Sequence, residues 1–360
     1  MRCQCPICDS PRDEIFRSAL PFSVRSDWTP VRSFFSLFYC ENCNHLFKDD
    51  ETVMSGCDYE SYELWGNETT GDKIIFENGV ATVGKSKKIF DFLERRITNF
   101  SQKSLLDFGC QRGAFLSQLS NHKAPLAGLD VSEKYREGIQ SLGSLYYGPN
   151  DEIKNKFDIV TLIHVLEHLV ELETSLFVIK NAIKSDGKVF VQVPDVANQP
   201  TDSYVIDHKH HFSKRSLVNT FSFLLELEGH YFENIVPGEL SSMHTVGKKP
   251  IDEMQNPLTK VVQKLLSIEK TVARINSGVE TVALYGAGML GSLFYANLEQ
   301  HVKYFVDDDP KLEGKTLHGR PIYSVANRPD NIPILNCLPQ VHAALVRKRF
   351  KNDGALIELF

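Results

Sequence analysis

One short segment of the chain carries a carboxylate and three imidazoles: Asp207, His208, His210 and His211. Imidazole titrates near neutral pH, so it can take a proton from a substrate, and a neighbouring carboxylate can orient it and raise its basicity. Asp207 and His208 are therefore candidate catalytic residues, and His210 is a second candidate base. Two other interpretations stay open. The three imidazoles can bind a metal ion, or the segment can be structural and pack under the helix that follows it.

Two CxxC pairs near the N-terminus offer metal ligands of another kind: Cys5 with Cys8, and Cys40 with Cys43. Thiolates two residues apart can reach one tetrahedral ion, and four of them close its coordination shell. We therefore expect structural zinc here, and an ion of this type stabilises a small lobe rather than binding substrate. A redox-active CxxC pair needs a different strand–helix setting.

A strand, a turn and a helix are predicted from residue 105 onward. An apolar run ends in Asp107, the turn contains Gly109 and Gly113, and a helical pattern of apolar residues begins at Ala114. In an open α/β sheet, ligands bind beside such a turn, and a residue without a Cβ lets a ligand approach the backbone. The turn is neither a dinucleotide fingerprint nor a phosphate loop, and Asp107 would repel a pyrophosphate.

The pattern D-x-G-C-x-x-G at 107–113 resembles motif I of class I S-adenosylmethionine-dependent methyltransferases, whose ligand carries a cationic sulfonium. The next predicted strand ends in an acid, Asp130, which is suited to accept hydrogen bonds from both ribose hydroxyls. The resemblance implies an S-adenosylmethionine site. The residues expected to form it are Asp107, Gly109, Cys110, Gly113, Asp130, Val131 and His164.

Strands and helices continue to alternate beyond this motif, which is the order of a doubly wound α/β sheet. Strands are predicted at 157–163 and 188–194, with a helix between them that ends at Asp186-Gly187. An amphipathic helix is expected over 82–100, and Ser213 should cap a helix from Lys214 to Leu227. Glu167 and His168 lie ahead of the helix that ends at Asp186-Gly187. They suggest a site for a divalent metal ion, but the second acid of that ligand pattern is missing. We expect both to cap and brace the helix that follows.

A second glycine-rich turn lies near the C-terminus, where a strand at 281–285 leads into Gly286, Gly288 and Gly291 and a later strand ends in Asp307. This is the dinucleotide fingerprint in its strand–turn–helix context. The unit of about 80 residues has room for only half of a dinucleotide fold. It resembles the small Rossmann-like domains of sugar-modifying enzymes, so nucleotide binding and a purely structural role both stay open.

Length and charge narrow the class of protein. A chain of 360 residues should hold two or three domains, and a net charge of −6 argues against broad binding to nucleic-acid phosphates. No apolar run approaches the roughly 20 residues of a membrane span, and the N-terminus lacks the apolar core of a signal peptide. We expect a cytoplasmic enzyme with neither membrane nor nucleic-acid partners.

Taken together, the cysteine lobe, motif I and the acid–histidine segment resemble the sugar C-methyltransferases that act on nucleotide-linked deoxysugars. The resemblance implies that Asp207 and His208 occupy the place of that family's Glu-His pair, with Tyr59 or Tyr62 as its lobe tyrosine. The family histidine deprotonates the carbon beside a keto group, and the enolate takes the methyl group. In this chain Asp207 replaces the family's Glu, and the residues after it, Lys209, His210 and His211, differ from the family's signature. O-methylation of a glycan or secondary metabolite is therefore one alternative, and a non-catalytic binding protein is another.

The predicted organisation has four parts. A zinc-binding lobe with a Tyr-rich loop covers residues 1–75, and the methyltransferase core covers 84–248. A connecting helix follows at 252–276, and the C-terminal Rossmann-like domain at 279–360.

Overall fold

A computed structural model describes residues 4–54, 72, 74–77, 80–132, 139–147, 153–227, 229–245, 258–278, 281–329, 332–339, 342–350 and 356–359. The first elements, numbered along the chain, are β1 (Asp13–Arg17), β2 (Phe22–Val24), β3 (Pro30–Arg32), β4 (Ser36–Cys40), β5 (His45–Phe47), α1 (Asp50–Met54), β6 (Ile74–Glu77) and β7 (Val80–Gly84). Most of them form the N-terminal lobe. Tyr59 and Tyr62, the predicted lobe tyrosines, lie outside the described residues.

The central region contains α2 (Lys85–Arg96), β8 (Leu105–Phe108), β9 (Leu126–Asp130), β10 (Ser144–Tyr147), β11 (Phe157–Ile163), α3 (Leu172–Ala182), β12 (Ile183–Pro194), β13 (His210–His211), α4 (Lys214–Leu225), β14 (Gly229–Glu233) and β15 (Glu239–Thr245). Seven strands form one sheet in the order β10-β9-β8-β11-β12-β15-β14. The first five strands are parallel, and β15 runs antiparallel to both its neighbours. The predicted doubly wound α/β sheet is therefore confirmed.

Four of the predicted helices differ from the observed ones. The helix predicted over 82–100 runs only from Lys85 to Arg96, because β7 continues to Gly84. The residues after the motif I turn form only a short 3-10 helix, Leu116–Leu119. The next helix ends at Ala182 rather than at Asp186-Gly187, because β12 already begins at Ile183 and pairs with β11. Ser213 does cap α4, but this helix ends at Leu225, where Glu226 adopts a left-handed conformation.

The fourth strand of the lobe sheet comes from far along the chain. The sheet order is β1-β4-β5-β13, and β13 pairs with β5 through His210 opposite Phe47 and His211 opposite Leu46. The backbone N–H of Lys48 extends this pairing by donating to the carbonyl of Lys209 at 2.9 Å. The histidine segment is therefore part of the lobe sheet as well as part of the central region.

The C-terminal region contains α5 (Leu258–Ser277), β16 (Val282–Tyr285), α6 (Met289–Leu298), β17 (Val302–Val306), β18 (Thr316–Leu317), β19 (Arg320–Tyr323), β20 (Ile334–Asn336), α7 (Ala343–Arg349) and β21 (Leu356–Ile357). Its sheet has the order β18-β19-β17-β16-β20-β21, and all strands except β18 are parallel. This sheet has more strands than the half dinucleotide fold that the length suggested.

The connecting helix α5 buries one apolar face, which includes Val261, Leu265 and Val272. These residues share a core with Phe16 of the lobe and Phe294 of α6, so the helix joins the lobe to the C-terminal sheet. None of the described helices has both the length and the apolar composition needed to cross a membrane.

Candidate active site

The turn after β8 depends on its two glycines. Gly109 and Gly113 have φ values of +75° and +73°, a region that only glycine visits readily. A Cβ on Gly109 would lie 2.3 Å from Val165 Cγ2, and one on Gly113 would lie 2.9 Å from Leu142 Cδ1. The sequence suggested open space for a ligand beside these glycines. In the direction that a Cβ would take, the structure fills this space with side chains, so neither position accepts a larger residue without a shift of its neighbours.

Two acidic residues lie at the carboxyl ends of the neighbouring strands β8 and β9. The carboxylate of Asp107 accepts a hydrogen bond from Thr161 Oγ at 2.7 Å, and burial raises its pKa to about 7. The carboxylate of Asp130 accepts from the backbone N–H groups of Gln111 at 2.8 Å and Ser132 at 3.0 Å. Asp130 thereby fixes the turn against the end of β9.

Two more of the predicted cofactor residues lie at the same edge. Cys110 is buried with its sulfur against Gly128, where an added Cβ would lie 2.5 Å from Sγ. Val131 directly follows Asp130 and is 76% exposed. The structure therefore brings the predicted residues of 107–113 and 130–131 together at one edge of the sheet.

His164 begins the loop after β11 with φ +54°. Its Nδ1 lies 3.0 Å from Glu167 Oε1 and its Nε2 lies 3.0 Å from Glu239 Oε2. Burial lowers the pKa of His164, but the two carboxylates outweigh burial and hold that pKa above its ordinary value. Glu167 therefore braces His164, whereas Glu171 is the N-cap of α3 and makes no side-chain capping bond. The expectation that Glu167 caps this helix is wrong.

His208 is oriented by a carboxylate that the sequence did not indicate. Its Nδ1 lies 2.8 Å from Asp202 Oδ1, whereas Asp207 accepts hydrogen bonds from the backbone N–H and the Oγ of Ser26, at 2.9 and 2.6 Å. Burial lowers the pKa of His208, but Asp202 outweighs burial and raises that pKa to about 9. The predicted pairing of His208 with Asp207 is corrected to a pairing with Asp202.

Asp202 also holds a second imidazole, because its Oδ2 lies 2.9 Å from His211 Nδ1. Asp202 is part of the 3-10 helix Pro200–Tyr204 and is 5% exposed. The two imidazoles keep its pKa well below the ordinary value despite burial. Burial lowers the pKa of His211 to about 4, so only His208 of this pair is charged at neutral pH.

His210, the second candidate base, lies in the interior with both ring nitrogens engaged. Nδ1 is 2.9 Å from His45 Nε2 and Nε2 is 2.9 Å from the carbonyl of Leu169. The side chain is 1% exposed, and burial lowers its pKa to about 3. This geometry argues against His210 as a base and gives it a structural role between the lobe and the loop after β11.

His168 lies against His208, with ring centroids 4.5 Å apart in a T-shaped arrangement. Its Nδ1 is 3.1 Å from the carbonyl oxygen of Asp207 and 3.4 Å from Asp207 Oδ2. Burial and the neighbouring His208 lower the pKa of His168 below its ordinary value. Glu167, His168 and His208 also bring one potential metal ligand each within 4.8 Å of one another.

Lys48 is a buried cation that sequence reasoning missed. Its Nζ donates to the carbonyl oxygens of Val205 at 2.6 Å and His208 at 2.8 Å. Burial lowers its pKa to about 7. In the sequence Lys48 stands between a short apolar strand and Asp49-Asp50, so no local pattern indicated that it is buried. Lys48 holds the backbone on both sides of Asp207 and thereby fixes the loop that carries His208.

The four predicted zinc ligands come together in the lobe, and all four sulfur atoms lie within 4.8 Å of one another. Sγ of Cys5 is 3.3 Å from that of Cys43, and Sγ of Cys8 is 3.5 Å from that of Cys40. Tetrahedral zinc with Zn–S bonds near 2.3 Å places sulfur atoms about 3.8 Å apart, so the cluster fits such an ion. Burial raises the pKa of Cys40 to about 11, so an adjacent cation would be needed to ionise it.

In the glycine-rich turn of the C-terminal region, as in the turn after β8, an aspartate at the end of the next strand accepts a hydrogen bond from a backbone N–H of the turn. Asp307 Oδ2 accepts from the backbone N–H of Ala287 at 2.8 Å, as Asp130 does from Gln111. Gly286 has φ +109°, and a Cβ on Gly291 would lie 2.1 Å from the carbonyl oxygen of Gly286. A Cβ on Gly288 would meet nothing within 4 Å, so this face of the turn is open.

The described residues also line a cavity of about 470 Å³ beside Glu239. Lys214, Phe232 and Gly238 are among the lining residues, but His168 and His208 are not. We therefore do not assign this cavity as the place where the two histidines meet a substrate.

Comparison with known proteins identifies the central region. Residues 84–232 match a family model described as a methyltransferase domain. Ubiquinone biosynthesis O-methyltransferase of Coxiella burnetii is 32% identical over 109 residues, which are 28% of this chain and 46% of that protein. The chain thus spans about half the length of the curated relatives it matches.

Solved structures show weaker likeness. A SAM-dependent methyltransferase from Archaeoglobus fulgidus has a TM-score of 0.38 and 16% identity, over 44% of this chain and 94% of that one. A putative S-adenosylmethionine-dependent methyltransferase from Listeria monocytogenes has a TM-score of 0.35 and 15% identity, over 46% of this chain and 99% of that one. The family model, rather than these likenesses, identifies the domain.

Proposed function

Residues 84–232 form a class I S-adenosylmethionine-dependent methyltransferase domain, and from this premise we propose that the whole chain is an enzyme that methylates a small acceptor. The donor would be held by the edge of the sheet where β8, β9 and β11 end. The residues proposed to hold it are Asp107, Gly109, Cys110, Gly113, Asp130, Val131 and His164. Asp130 is proposed to accept hydrogen bonds from the ribose hydroxyls, as acids at this position do in nucleotide-binding sheets.

Replacing Gly109 by Ala should weaken donor binding and lower stability. A left-handed conformation costs a residue with a Cβ about 1–2 kcal/mol, and the new Cβ, 2.3 Å from Val165 Cγ2, would push against the loop after β11. We expect a loss of at least about tenfold in affinity for S-adenosylmethionine by calorimetric titration, which corresponds to about 1.4 kcal/mol. The control Gly288→Ala, at an open position with φ −134°, should change neither affinity nor melting temperature. Wild-type affinity in Gly109→Ala would overturn the assignment of the donor site.

We propose that the acceptor is a carbon atom beside a keto group in a sugar, in a molecule that carries a nucleotide. The observation that carries this proposal is the pair His168 and His208, each with its Nδ1 on an acceptor oxygen, at the carboxyl edge of the methyltransferase sheet. Carbon is a poor nucleophile until a proton is removed from it, so C-methylation requires acid–base groups of this kind. His208, oriented by Asp202, is a proposed catalytic residue. Tyr62 stays a candidate from the sequence.

Two further parts of the chain have proposed supporting roles. Cys5, Cys8, Cys40 and Cys43 are proposed to bind one zinc ion that stabilises the lobe. The turn with Gly286, Gly288 and Gly291, together with Asp307, is proposed to contact the nucleotide of the acceptor, because its face at Gly288 is open.

The proposed reaction is tested by isotope exchange. The enzyme is incubated in deuterated water with a nucleoside-diphosphate-linked 4-keto-6-deoxyglucose, with and without S-adenosylmethionine, and the sugar is analysed by NMR. We expect deuterium at a carbon beside the keto group and a new carbon–methyl bond when the donor is present. Absence of both with this acceptor and related keto sugars would overturn C-methylation.

One observation favours a second candidate, O-methylation. The Coxiella burnetii relative is named an O-methyltransferase, and attack by a hydroxyl oxygen needs only one base. In the same assay, methyl transfer without exchange at carbon would identify oxygen as the acceptor atom. Failure of the protein to bind S-adenosylmethionine or its demethylated product would instead favour a binding protein.

A further inference from the structure

The hydrogen bonds around Ser26 determine where the protons of His208 lie. The hydroxyl of Ser26 has one hydrogen, and the contact of 2.6 Å to Asp207 Oδ2 uses it, because an ionised carboxylate can only accept. The second contact of this oxygen, 3.3 Å to His208 Nε2, must then be donated by the imidazole. Nε2 of His208 therefore carries a proton.

The other nitrogen of His208 also carries a proton, because Nδ1 faces the carboxylate of Asp202 at 2.8 Å. His208 is thus an imidazolium with both nitrogens acting as donors. The buried carboxylates around it, Asp202, Asp207 and Glu167, balance this charge, and they outweigh burial to raise the pKa of His208 to about 9. An imidazolium has no lone pair with which to take a proton from a substrate. The proton on Nε2 also disfavours a metal ion held jointly with Glu167 and His168.

His168 has the opposite arrangement. Its Nδ1 lies 3.1 Å from the carbonyl oxygen of Asp207 and 3.4 Å from Oδ2 of the same residue, and both oxygens accept, so the proton lies on Nδ1. In the neutral ring the lone pair then lies on Nε2. Burial and the charge of His208 favour this neutral form. Two imidazoles in contact are therefore held in different protonation states, a pattern typical of acid–base pairs.

We propose that His168 is the general base of this site and that His208 is its electrophilic partner. This inference rests on the proposed C-methylation. Nε2 of His168 takes the proton from the carbon beside the keto group, and the C–H electron pair becomes the enolate while the carbonyl π pair moves to oxygen. The imidazolium of His208 donates a hydrogen bond to that oxygen in place of Ser26. The carbon then attacks the methyl group, and the C–S pair returns to sulfur as the neutral thioether. The proton leaves His168 for solvent.

The protonation states of His168 and His208 can be measured without any sugar acceptor. Nitrogen-15 spectra of histidine-labelled full-length protein distinguish an imidazolium from the two neutral tautomers. The peaks of each histidine are assigned from those that disappear in His168→Gln and in His208→Gln. We expect His208 to be doubly protonated at pH 7.5 and His168 to be neutral with its proton on Nδ1. A neutral His208 with a lone pair on Nε2, or a charged His168, would overturn the proposal. Because the wild-type protein provides these spectra, variants that fold poorly do not prevent the test.

The exchange assay then separates the two roles. His168→Gln should slow deuterium exchange at the sugar carbon at least about 100-fold, the contribution expected of a general base. His208→Gln should leave measurable exchange, because the base is still present, while slowing it through loss of the hydrogen bond to the oxyanion. His122→Gln, at a histidine that contacts the carbonyl of Lys103, should stay within about twofold of wild type. All three variants should keep wild-type affinity for S-adenosylmethionine.

The reverse result would overturn the proposal: no exchange in His208→Gln and exchange within about threefold of wild type in His168→Gln. If the wild-type enzyme itself shows no exchange, the proposed acceptor is wrong. In that case the nitrogen spectra still decide the protonation states of the two histidines.

Discussion

Replacing Cys40 by Ser should abolish the proposed zinc binding and unfold the N-terminal lobe. Structural zinc contributes apparent free energies of about 10–16 kcal/mol in small zinc-dependent modules, and Cys40 is a fully buried member of the four-sulfur cluster. We expect about one zinc ion per wild-type chain by elemental analysis and close to none in the variant. Turnover should be lost as well, because β5 of the same lobe pairs with the histidine segment.

The matched control is Cys337→Ser. Cys337 is also buried, but its sulfur contacts the carbonyl of Leu335 in the C-terminal region, so zinc content should not change. Affinity for S-adenosylmethionine should survive in Cys40→Ser, since the proposed donor site is built on β8 and β9. A wild-type zinc content in Cys40→Ser would contradict the assignment of the metal site.

Asp202→Asn should be the most damaging single substitution in the histidine cluster. It removes the carboxylate that faces His208 at 2.8 Å and His211 at 2.9 Å, and removing one partner of a buried charge pair costs about 3–5 kcal/mol. We expect a lower free energy of unfolding in urea, and turnover reduced at least about 100-fold. Asp186→Asn, at an exposed position in β12, should leave both unchanged. Wild-type stability in Asp202→Asn would show that His208 is not charged in the folded protein.

The same substitution should alter the dependence of stability on pH. The pKa of His208 is raised from about 6.5 in the unfolded chain to about 9 in the folded one. Its contribution is therefore complete below pH 6.5 and is lost as the pH rises through 9. The difference corresponds to about 3 kcal/mol. Urea unfolding between pH 6 and 10 should show this loss in the wild-type protein and a flatter profile in Asp202→Asn.

Predictions from the sequence were confirmed where a structural feature follows from a local pattern of residues. The strand Phe157–Ile163, the cap at Ser213 and the meeting of four cysteines all follow from periodicity, capping chemistry or ligand spacing. Sequence reasoning failed to find Asp202 and Ser26, which reach His208 from a 3-10 helix and from the lobe. Their distances along the chain carry no regular spacing that would connect them with an imidazole.

The pairing of His208 was predicted wrongly for a related reason. Adjacent residues such as Asp207 and His208 look like partners in sequence, but the turn that bonds the N–H of His208 to the carbonyl of Val205 directs the two side chains to different neighbours. The prediction therefore paired His208 with the carboxylate of Asp207, which in the structure contacts Ser26 and His168 instead.

The pairing of β5 with β13 makes the lobe and the histidine segment one structural unit built from two distant stretches of chain. A transfer of the lobe into another protein would therefore have to include residues 4–54 together with residues 200–213. A graft of either stretch alone would leave Lys48 or its two carbonyl acceptors facing a foreign surface. This structural unit is therefore discontinuous in the gene, although it is contiguous in the folded protein.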